Sequence, residues 1–357
     1  MAMSIKTIKT TSPKQKPSAD MALGFGNYFT DHMFVMKYDR ENGWHDGQIV
    51  PYAPIPLDPA AMCLHYGQEV FEGLKAYLSP KGEVLLFRPE KNFERLNLSN
   101  ERMCIPQLDA DYAIEALKQL VTLDKDWIPT AKDSSLYIRP FIFAIDPHVG
   151  VRPANEYLFI IILSPVGSYY PQGLNPTKIY VETNYTRATK GGTGHVKAGA
   201  NYAISLKAQQ EASKAGYSQV LWLDAVEKKY VEEVGTSNIF FVIDGEVITP
   251  SLEGSVLSGI TRMSCIELLR SWGMKVTERR ISIEEVKEAI KSGKLSEAFA
   301  TGTAAVISPV GELKVEDENY VIGGGKIGDC AQKLYDTLRG IQTGITEDKF
   351  GWSVKVD

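Results

Sequence analysis

The sequence predicts an α/β protein with α+β character that is divided into two domains. The chain of 357 residues is long enough for two cores, and 44% of it is hydrophobic against 23% charged. Strand-like and helix-like segments occur on both sides of a turn-rich stretch at 164–176. We therefore expect a flexible N-terminal tail at 1–20, a small N-terminal α/β domain at 21–164, an interdomain linker at 165–177 and a larger C-terminal domain at 178–357.

The N-terminal domain is predicted from two strands and two helices. Residues 134–143 and 157–163 are rich in β-branched and aromatic side chains, which is typical of strands. A helix is expected over 90–99, directly after a proline. Another is expected over 110–123, where Ile114, Leu117 and Val121 recur at the spacing of one helical face.

The turn-rich stretch ends the first domain because its three prolines disfavour both helices and central strands. Beyond it, four strands are predicted, and the last two are joined by Asp244-Gly245, a typical hairpin turn. The predicted strands cover 178–182, 219–223, 239–242 and 246–249, and the predicted helices cover 202–215, 260–272 and 282–292.

Composition and charge exclude several classes of partner. The net charge of −5 would repel a phosphate backbone, so nucleic acid is not an expected partner. The central apolar run at 157–163 is far shorter than the roughly 20 residues that a membrane span needs, so no membrane association is expected. Four well-separated cysteines without a C-x-x-C pair favour a cytoplasmic location.

The conventional catalytic motifs are weak. The five histidines are never spaced as metal ligands, so no metal site is expected, and no Gly-x-Ser-x-Gly elbow occurs. The glycine clusters at 191–194, around Gly302 and at 323–325 lack the strand, helix and downstream acid of a dinucleotide fingerprint. A Rossmann domain is therefore not predicted.

Three other segments could carry chemistry. In GGTGHVKAGANY (191–202), small residues would let a planar ligand approach Lys197, although a solvated lysine on a flexible loop explains the pattern as well. Strand alternation should turn only one of Glu232 and Glu233 inward, toward a cation such as a protonated pyridine or into a structural salt bridge. Segments 257–262 and 301–305 could offer backbone N–H groups to a phosphate, or be an N-cap and a simple turn.

Seven segments run in the order found in one known family. They are FTDHM (29–33), LHYGQEVFEGLKA (64–76), LFRP (86–89), SLYIRP (135–140), the Lys197 segment, EVGT (233–236) and GTA (302–304). Over nearly its whole length the chain therefore resembles the branched-chain amino-acid aminotransferases, which are fold type IV enzymes that use pyridoxal 5'-phosphate (PLP). The resemblance implies the two-domain fold type IV architecture, not a Rossmann fold, and PLP as the cofactor.

The resemblance also implies roles for individual residues. Lys197 would be catalytic and would carry PLP as a Schiff base, while Glu233 would contact the pyridine nitrogen and Tyr202 the phenolic oxygen. The phosphate would be bound by Arg95, Ile260, Thr261 and Thr303. The substrate would be bound by Phe25, Tyr66, Phe71, Tyr137, Arg139, Val151, Tyr169, Thr236 and Ala304.

The implied reaction is a reversible ping-pong transfer of the amino group of leucine, isoleucine or valine to 2-oxoglutarate, giving branched 2-oxo acids and glutamate. A homodimer is also implied, because in this family Tyr66 and the loop at 149–151 reach the neighbouring subunit's site. A D-amino-acid aminotransferase or an aminodeoxychorismate lyase of the same fold is the nearest alternative, and a non-catalytic PLP-binding protein is a remote one. The Tyr137-x-Arg139 pair and Thr236 favour the branched-chain enzyme.

Overall fold

The computed structural model describes residues 4–18, 21–169 and 174–356. By its internal contacts the chain divides into two compact units. Unit 1 contains residues 1–171, 197–199 and 340–357, and unit 2 contains residues 172–196 and 200–339. The main division falls inside the segment predicted to be the linker, whereas the assignment of 197–199 and 340–357 to unit 1 has no counterpart in the sequence prediction.

Strands and helices occur in both units. The strands are β1 (Lys6–Thr7), β2 (His32–Asp39), β3 (Gly43–Pro51), β4 (Glu69–Phe71), β5 (Leu74–Leu78), β6 (Val84–Phe87), β7 (Ser135–Ala144), β8 (Tyr157–Val166), β9 (Thr177–Glu182), β10 (Gln219–Leu223), β11 (Val231–Val234), β12 (Asn238–Ile243), β13 (Glu246–Thr249), β14 (Val276–Glu278), β15 (Leu295–Gly302), β16 (Val306–Val315), β17 (Glu318–Val321) and β18 (Ser353–Lys355). The α-helices are α1 (Met62–Tyr66), α2 (Pro89–Arg102), α3 (Ala110–Leu123), α4 (Ala200–Ala203), α5 (Leu206–Lys214), α6 (Ile260–Ser271), α7 (Ile283–Lys291) and α8 (Asp329–Gln342).

Unit 1 is built on one sheet with the strand order β1-β3-β2-β8-β7-β5-β6-β18, and β4 also pairs with β7. The pairings are antiparallel except that of β1 with β3. Strand β8 is apolar from residue 158 to residue 163, which suits a strand that is covered on both faces. Phe159 and Ile161 join the main core of unit 1 on one face, and Leu158 and Ile160 join a smaller cluster on the other.

Strand β8 continues past its predicted end at residue 163 and into the predicted linker. Pro165 is tolerated there because β8 pairs with β2 only as far as Ile162, and Pro165 faces Leu136 on β7 alone. Residues 170–173, in the middle of the predicted linker, lie outside the described residues.

The segment predicted as a flexible tail, residues 1–20, is partly attached to unit 1. Strand β1 pairs in parallel with β3, and the ammonium group of Lys14 donates to the carbonyl of Thr30 at 2.7 Å. Because β1 satisfies backbone groups along β3, residues 4–18 differ from the free tail that was predicted. The rest of this segment lies outside the described part of the chain.

Helices α2 and α3 pack beside this sheet. Helix α3 spans its predicted range because Asp109 caps it, accepting a hydrogen bond from the Tyr112 N–H at 3.1 Å. Helix α2 begins at Pro89, and its buried face carries the polar residues Asn92, Arg95 and Ser99, three and four positions apart. Buried polar side chains need partners, so this face of α2 is a candidate site element.

Unit 2 is built on a second sheet with the order β11-β10-β9-β16-β15-β12-β13-β14, and β17 pairs with β16. Strand β9 is parallel to both β10 and β16, which gives this sheet its mixed character. The predicted hairpin at Asp244-Gly245 is confirmed: Ile243 pairs with Glu246, and both turn residues have positive φ values of 49° and 79°.

The single helix predicted at 202–215 is wrong at its start, since α4 ends at Ala203 and α5 begins at Leu206. Ser205 lies at the break, and both its hydroxyl and its N–H donate to the carbonyl of Tyr202. The short polar side chain of Ser205 thus binds the Tyr202 carbonyl, which in a continuous helix would accept the N–H of the residue four positions further along the chain. Helices α6 and α7 lie within their predicted ranges.

Candidate active site

Lys197 belongs to unit 1, although the glycine-rich residues before it belong to unit 2. Its N–H donates to Oγ of Ser99 on α2 at 2.9 Å, and its carbonyl accepts from the N–H of Phe71 on β4 at 3.0 Å. The residue is half-buried. The backbone of Lys197 is therefore anchored to two elements of unit 1, which contradicts the interpretation of a solvated lysine on a flexible loop.

The aromatic ring of Phe71 connects Lys197 to other predicted substrate residues. Nζ of Lys197 lies 4.9 Å from the ring centroid, and the guanidinium carbon of Arg139 lies 4.6 Å from the same centroid. Arg139 also donates to the hydroxyl of Tyr137 at 2.9 Å, and the ring of Tyr137 meets that of Phe25 edge-on at 4.7 Å. The structure thus brings four predicted substrate residues together with Lys197.

A buried ion pair joins Glu72 to Arg95. Nε of Arg95 donates to Oε1 at 2.7 Å, a terminal guanidinium nitrogen donates to Oε2 at 2.9 Å, and Asn92 donates to Oε2 at 2.7 Å. Burial acts to raise the pKa of Glu72, but Arg95 and then Lys197 outweigh it and hold the pKa below its usual value. Arg95, the predicted phosphate ligand, is thus held in one orientation by a carboxylate.

Sequence reasoning assigned no role to Glu72, although a signal was present. An acid stands between the apolar residues of β4 and β5, where only a buried cation could balance it. The neighbouring Gly73 is required by the same packing, because a Cβ atom there would overlap the hydroxyl oxygen of Tyr137. In the run 71–73, Phe71 therefore supplies the aromatic ring, Glu72 forms the ion pair, and Gly73 leaves room for the hydroxyl of Tyr137.

Besides Phe25, which is 46% exposed, three predicted substrate residues of unit 1 lie on its surface. Tyr66 is 40% exposed, Val151 84% and Tyr169 50%. The hydroxyl of Tyr66 donates to the carbonyl of Val149. The chain by itself therefore does not enclose these three side chains.

In unit 2, Glu233, Tyr202 and Thr236 line one small pocket together with Arg187 and Leu257. Glu233 is buried on β11, where one carboxylate oxygen accepts from the Leu257 N–H at 2.7 Å and the other lies 3.3 Å from Nε of Arg187. The predicted partners of the cofactor ring in unit 2 are thus brought together in one place.

The prediction that only one of the two adjacent acids lies inward is wrong. Glu232 is 8% exposed and Glu233 is 3% exposed. Alternation does turn them to opposite faces, but both faces of β11 are covered, since Glu232 lines a second cavity with Ser255 and Asp224.

The remaining predicted residues of unit 2 lie near the start of α6 or in the turn after β15. Ile260 and Thr261 begin α6 and are buried, and the N-cap residue Gly259 contributes no side-chain cap. A Cβ atom at Gly259 would overlap Oδ1 of Asn238 on β12. Thr303 and Ala304 form the turn that follows β15. A helix start without a side-chain cap, with its dipole, suits an anion such as a phosphate.

These residues fit the chemistry of PLP. Within unit 2, a buried acid and a phenol line one pocket, which suits the cofactor ring, and an uncapped helix start suits the phosphate. Within unit 1, taken by itself, a half-buried lysine suits a Schiff base and a buried guanidinium suits a phosphate. Within residues 4–18, 21–169 and 174–356, no group of three His, Cys, Asp or Glu side chains is arranged to hold a metal ion. No helix in that part of the chain has both the length and the apolarity needed to cross a membrane.

The fold and the site together define the class of protein. The sequence model of the family described as Amino-transferase class IV matches residues 69–313, which include the segments of Glu72, Lys197, Glu233 and Thr303. The chain belongs to this family, and the prediction that it is an aminotransferase enzyme is confirmed.

Two similar relatives are named as branched-chain aminotransferases. Branched-chain-amino-acid aminotransferase 2 of Bacillus subtilis (strain 168) is 59% identical over 352 residues, which cover 99% of this chain and 97% of the relative. A probable branched-chain-amino-acid aminotransferase of Staphylococcus aureus (strain N315) is 55% identical over 357 residues, which cover 100% of this chain and 99% of the relative.

Solved structures give the same answer for the fold. The branched-chain amino acid aminotransferase of Escherichia coli superposes with a TM-score of 0.77 at 30% identity, covering 92% of this chain and 99% of that one. The branched-chain aminotransferase of the archaeon Thermoproteus uzoniensis, solved with norvaline, gives a TM-score of 0.76 at 27% identity, covering 91% and 100%. The resemblance to branched-chain aminotransferases and the fold type IV architecture are confirmed.

Proposed function

We propose that this chain uses PLP to transfer the amino group of leucine, isoleucine or valine to 2-oxoglutarate. The observation that carries the proposal is that Lys197 and Arg139 lie over the same ring, that of Phe71. One apolar surface thus lies beside an amine that can act on the substrate and a cation that can meet a second carboxylate. This combination suits a pocket that accepts both a branched aliphatic side chain and the side chain of glutamate.

The cofactor part of the proposal has support from a solved relative. A branched-chain amino acid aminotransferase whose structure was determined with pyridoxamine 5'-phosphate superposes on this chain with a TM-score of 0.76 at 27% identity. The match covers 91% of this chain and 98% of that one. Pyridoxamine 5'-phosphate is the aminated form of PLP, so its presence in a protein of this fold supports PLP as the cofactor here.

The proposed roles of the chain's residues follow from their positions. PLP, when bound, supplies an electron sink for the substrate carbon that loses its proton. Lys197 would hold the cofactor and, once its amine is released, would move the proton at the substrate Cα. Glu233 would keep a proton on the ring nitrogen, and Tyr202 would bind the ring hydroxyl. The phosphate would be bound by Arg95, Ile260, Thr261 and Thr303.

Substrate selection would rest on two groups of side chains. The aromatic and apolar residues Phe25, Tyr66, Phe71, Tyr137, Val151 and Tyr169 would contact the branched side chain. Arg139 would meet the distal carboxylate of glutamate, while Thr236 and the Ala304 amide would hold the α-carboxylate. The hydrogen bond from Arg139 to the Tyr137 hydroxyl fixes the direction of the guanidinium before any substrate is bound.

We further infer a homodimer in the cytoplasm. An apolar patch of unit 1 is exposed on the single chain, with Leu64 59%, Val149 66% and Val151 84% accessible. Covering such a patch favours association with a second copy. The four cysteines are free thiols, which suits a reducing compartment. A Val151→Glu variant should dissociate in light scattering, and an unchanged mass would contradict the use of this patch.

The decisive experiment is an absorbance spectrum of the PLP-loaded protein before and after leucine and then 2-oxoglutarate. A visible band should bleach with leucine and return with 2-oxoglutarate. Lys197→Ala should not cycle, whereas Lys190→Ala, at an exposed lysine next to the same glycine-rich segment, should behave as the wild type. Bleaching by D-alanine but not by leucine would move the assignment to the D-amino-acid aminotransferases, and no band at all would overturn PLP chemistry.

A further inference from the structure

Two acids of β11 in unit 2 share a nearby guanidinium, that of Arg187. Glu232 and Glu233 turn to opposite faces of the strand, and Arg187, itself only 7% exposed, lies close to both. Nε of Arg187 is 3.3 Å from one oxygen of Glu233. A terminal nitrogen of Arg187 donates to the carbonyl of Ser255, whose hydroxyl donates to Oε1 of Glu232. The four residues therefore form one connected buried chain.

This chain of contacts is incomplete. Oε2 of Glu232 has no hydrogen-bond partner among the described residues, and Nε of Arg187 is near Glu233 but not aligned for a hydrogen bond. Burial raises the pKa of Glu232, although the hydroxyl of Ser255 and the charge of Arg187 oppose this. With both carboxylates ionised, the group has one negative charge more than Arg187 can balance.

The other charged groups around the two acids do not remove this excess. Arg262 is a second buried guanidinium whose charge acts on Glu233, but it is already paired with Glu278 at 3.0 Å. Asp224 accepts four backbone N–H groups, from residues 226, 227, 229 and 230, so it is already satisfied. Arg280 is paired with Glu227 at 3.1 Å, and both are nearly half exposed to solvent. Lys190 and Glu253, which also line this cavity, are exposed and therefore screened.

We infer that Glu232 is a positioning residue that acts through Ser255 and Arg187 to balance the charge of a protonated cofactor ring nitrogen at Glu233. The inference rests on the proposed function. With that nitrogen present, two carboxylates face two cations and the buried group is neutral. If Glu232 were uncharged, Arg187 and the ring nitrogen would compete for Glu233 alone, and the protonated ring would bind less tightly.

The test compares two ligands that differ in the ring nitrogen only. PLP and its 1-deaza analogue, in which a C–H replaces that nitrogen, are titrated into cofactor-depleted full-length protein and followed by absorbance. Glu232→Gln keeps the shape of the side chain and the hydrogen bond from Ser255. The variant should bind PLP about tenfold more weakly, which is the effect of one pKa unit, and its affinity for the analogue should be unchanged. The control Glu253→Gln, at an exposed acid of the same cavity, should match the wild type with both ligands.

Equal weakening of both ligands in Glu232→Gln would show a merely structural role and would overturn the inference, as would unchanged PLP binding. Ser255→Ala provides a second test in case Glu232→Gln folds poorly, and it should give a smaller loss that is again confined to PLP. A wild type that does not bind PLP would overturn the proposed function itself. Failure of the inference alone and failure of the proposed function are therefore distinguishable.

Discussion

Each unit of the molecule buries an acid beside a guanidinium, but the pairing is complete for Glu72 in unit 1 and incomplete for Glu232 in unit 2. Both oxygens of Glu72 accept hydrogen bonds from Arg95, and Asn92 reinforces them. In unit 2, Glu232 and Glu233 share Arg187, and Oε2 of Glu232 has no partner among the described residues. A complete ion pair thus fixes the position of a side chain, whereas an incomplete ion pair leaves room for a further positive charge.

The largest expected effect comes from breaking the complete pair. Glu72→Gln leaves the charge of Arg95 buried without its counter-ion and should lower the free energy of unfolding by about 3–5 kcal/mol. Urea denaturation of the variant measures this loss. The control is Glu94→Gln, one position before Arg95 and 55% exposed, which should change stability by less than about 0.5 kcal/mol. Equal losses of unfolding free energy in the two variants would show that the Glu72–Arg95 pair stabilises the fold no more than an exposed glutamate does.

A smaller effect is expected from the incomplete group. Arg187→Met removes the cation between two acids, but Glu232 can take up a proton in compensation. The loss of unfolding free energy should therefore be about 2–3 kcal/mol near pH 8 and clearly less near pH 5. Arg280→Met removes an exposed cation beside the same cavity and should cost much less at either pH. A loss from Arg187→Met that is the same at both pH values would contradict the charge argument.

Ser255→Ala should have a still smaller effect, because it deletes one hydrogen bond to Glu232 without changing any formal charge. We expect a loss of about 1 kcal/mol of unfolding free energy, measured by the same denaturation experiment. Ser251→Ala, whose hydroxyl bonds to the exposed Glu253, provides the matched control and should be neutral. If both serine variants had the same unfolding free energy, the hydrogen bond from Ser255 to Glu232 would not contribute to stability.

The smallest effect is a difference in pH dependence between the two units. The pKa of Glu72 is lowered in the folded state, so its stabilisation is present above the ordinary glutamate pKa and is lost as the pH falls through the folded value. The pKa of Glu232 is raised, so the folded state binds its proton more tightly and loses stability as the pH rises from the ordinary value through the folded one.

The two glutamine variants make this difference measurable between about pH 4 and 8. The loss of unfolding free energy in Glu72→Gln, relative to the wild type, should become smaller as the pH falls. Glu232→Gln should gain stability relative to the wild type as the pH rises, because it has no carboxyl group left to ionise. Parallel stability curves for the wild type and both variants would refute the assignment of opposite pKa shifts.

Local sequence patterns predicted much of the fold, but they could not predict contacts between residues that are far apart in the chain. Helix α3 and the hairpin at Asp244-Gly245 follow from spacing and turn chemistry within a few residues. The family motifs pointed to Lys197 and Glu233. They could not show that Ser99, 98 positions before Lys197, holds its backbone, or that the alternating acids of β11 are both buried. Such contacts depend on which elements the fold brings together, and the break after α4 depends on one serine competing for a carbonyl.

The last strand of the chain determines how the protein can be divided. Strand β18 pairs with β6 in the sheet of unit 1, and the short stretch with Lys197 also belongs to that unit. A gene fragment that stops at the linker would encode neither, and its product would expose the edge of β6 as a template for aggregation. Neither unit can therefore be recombined into another protein as one uninterrupted piece of chain.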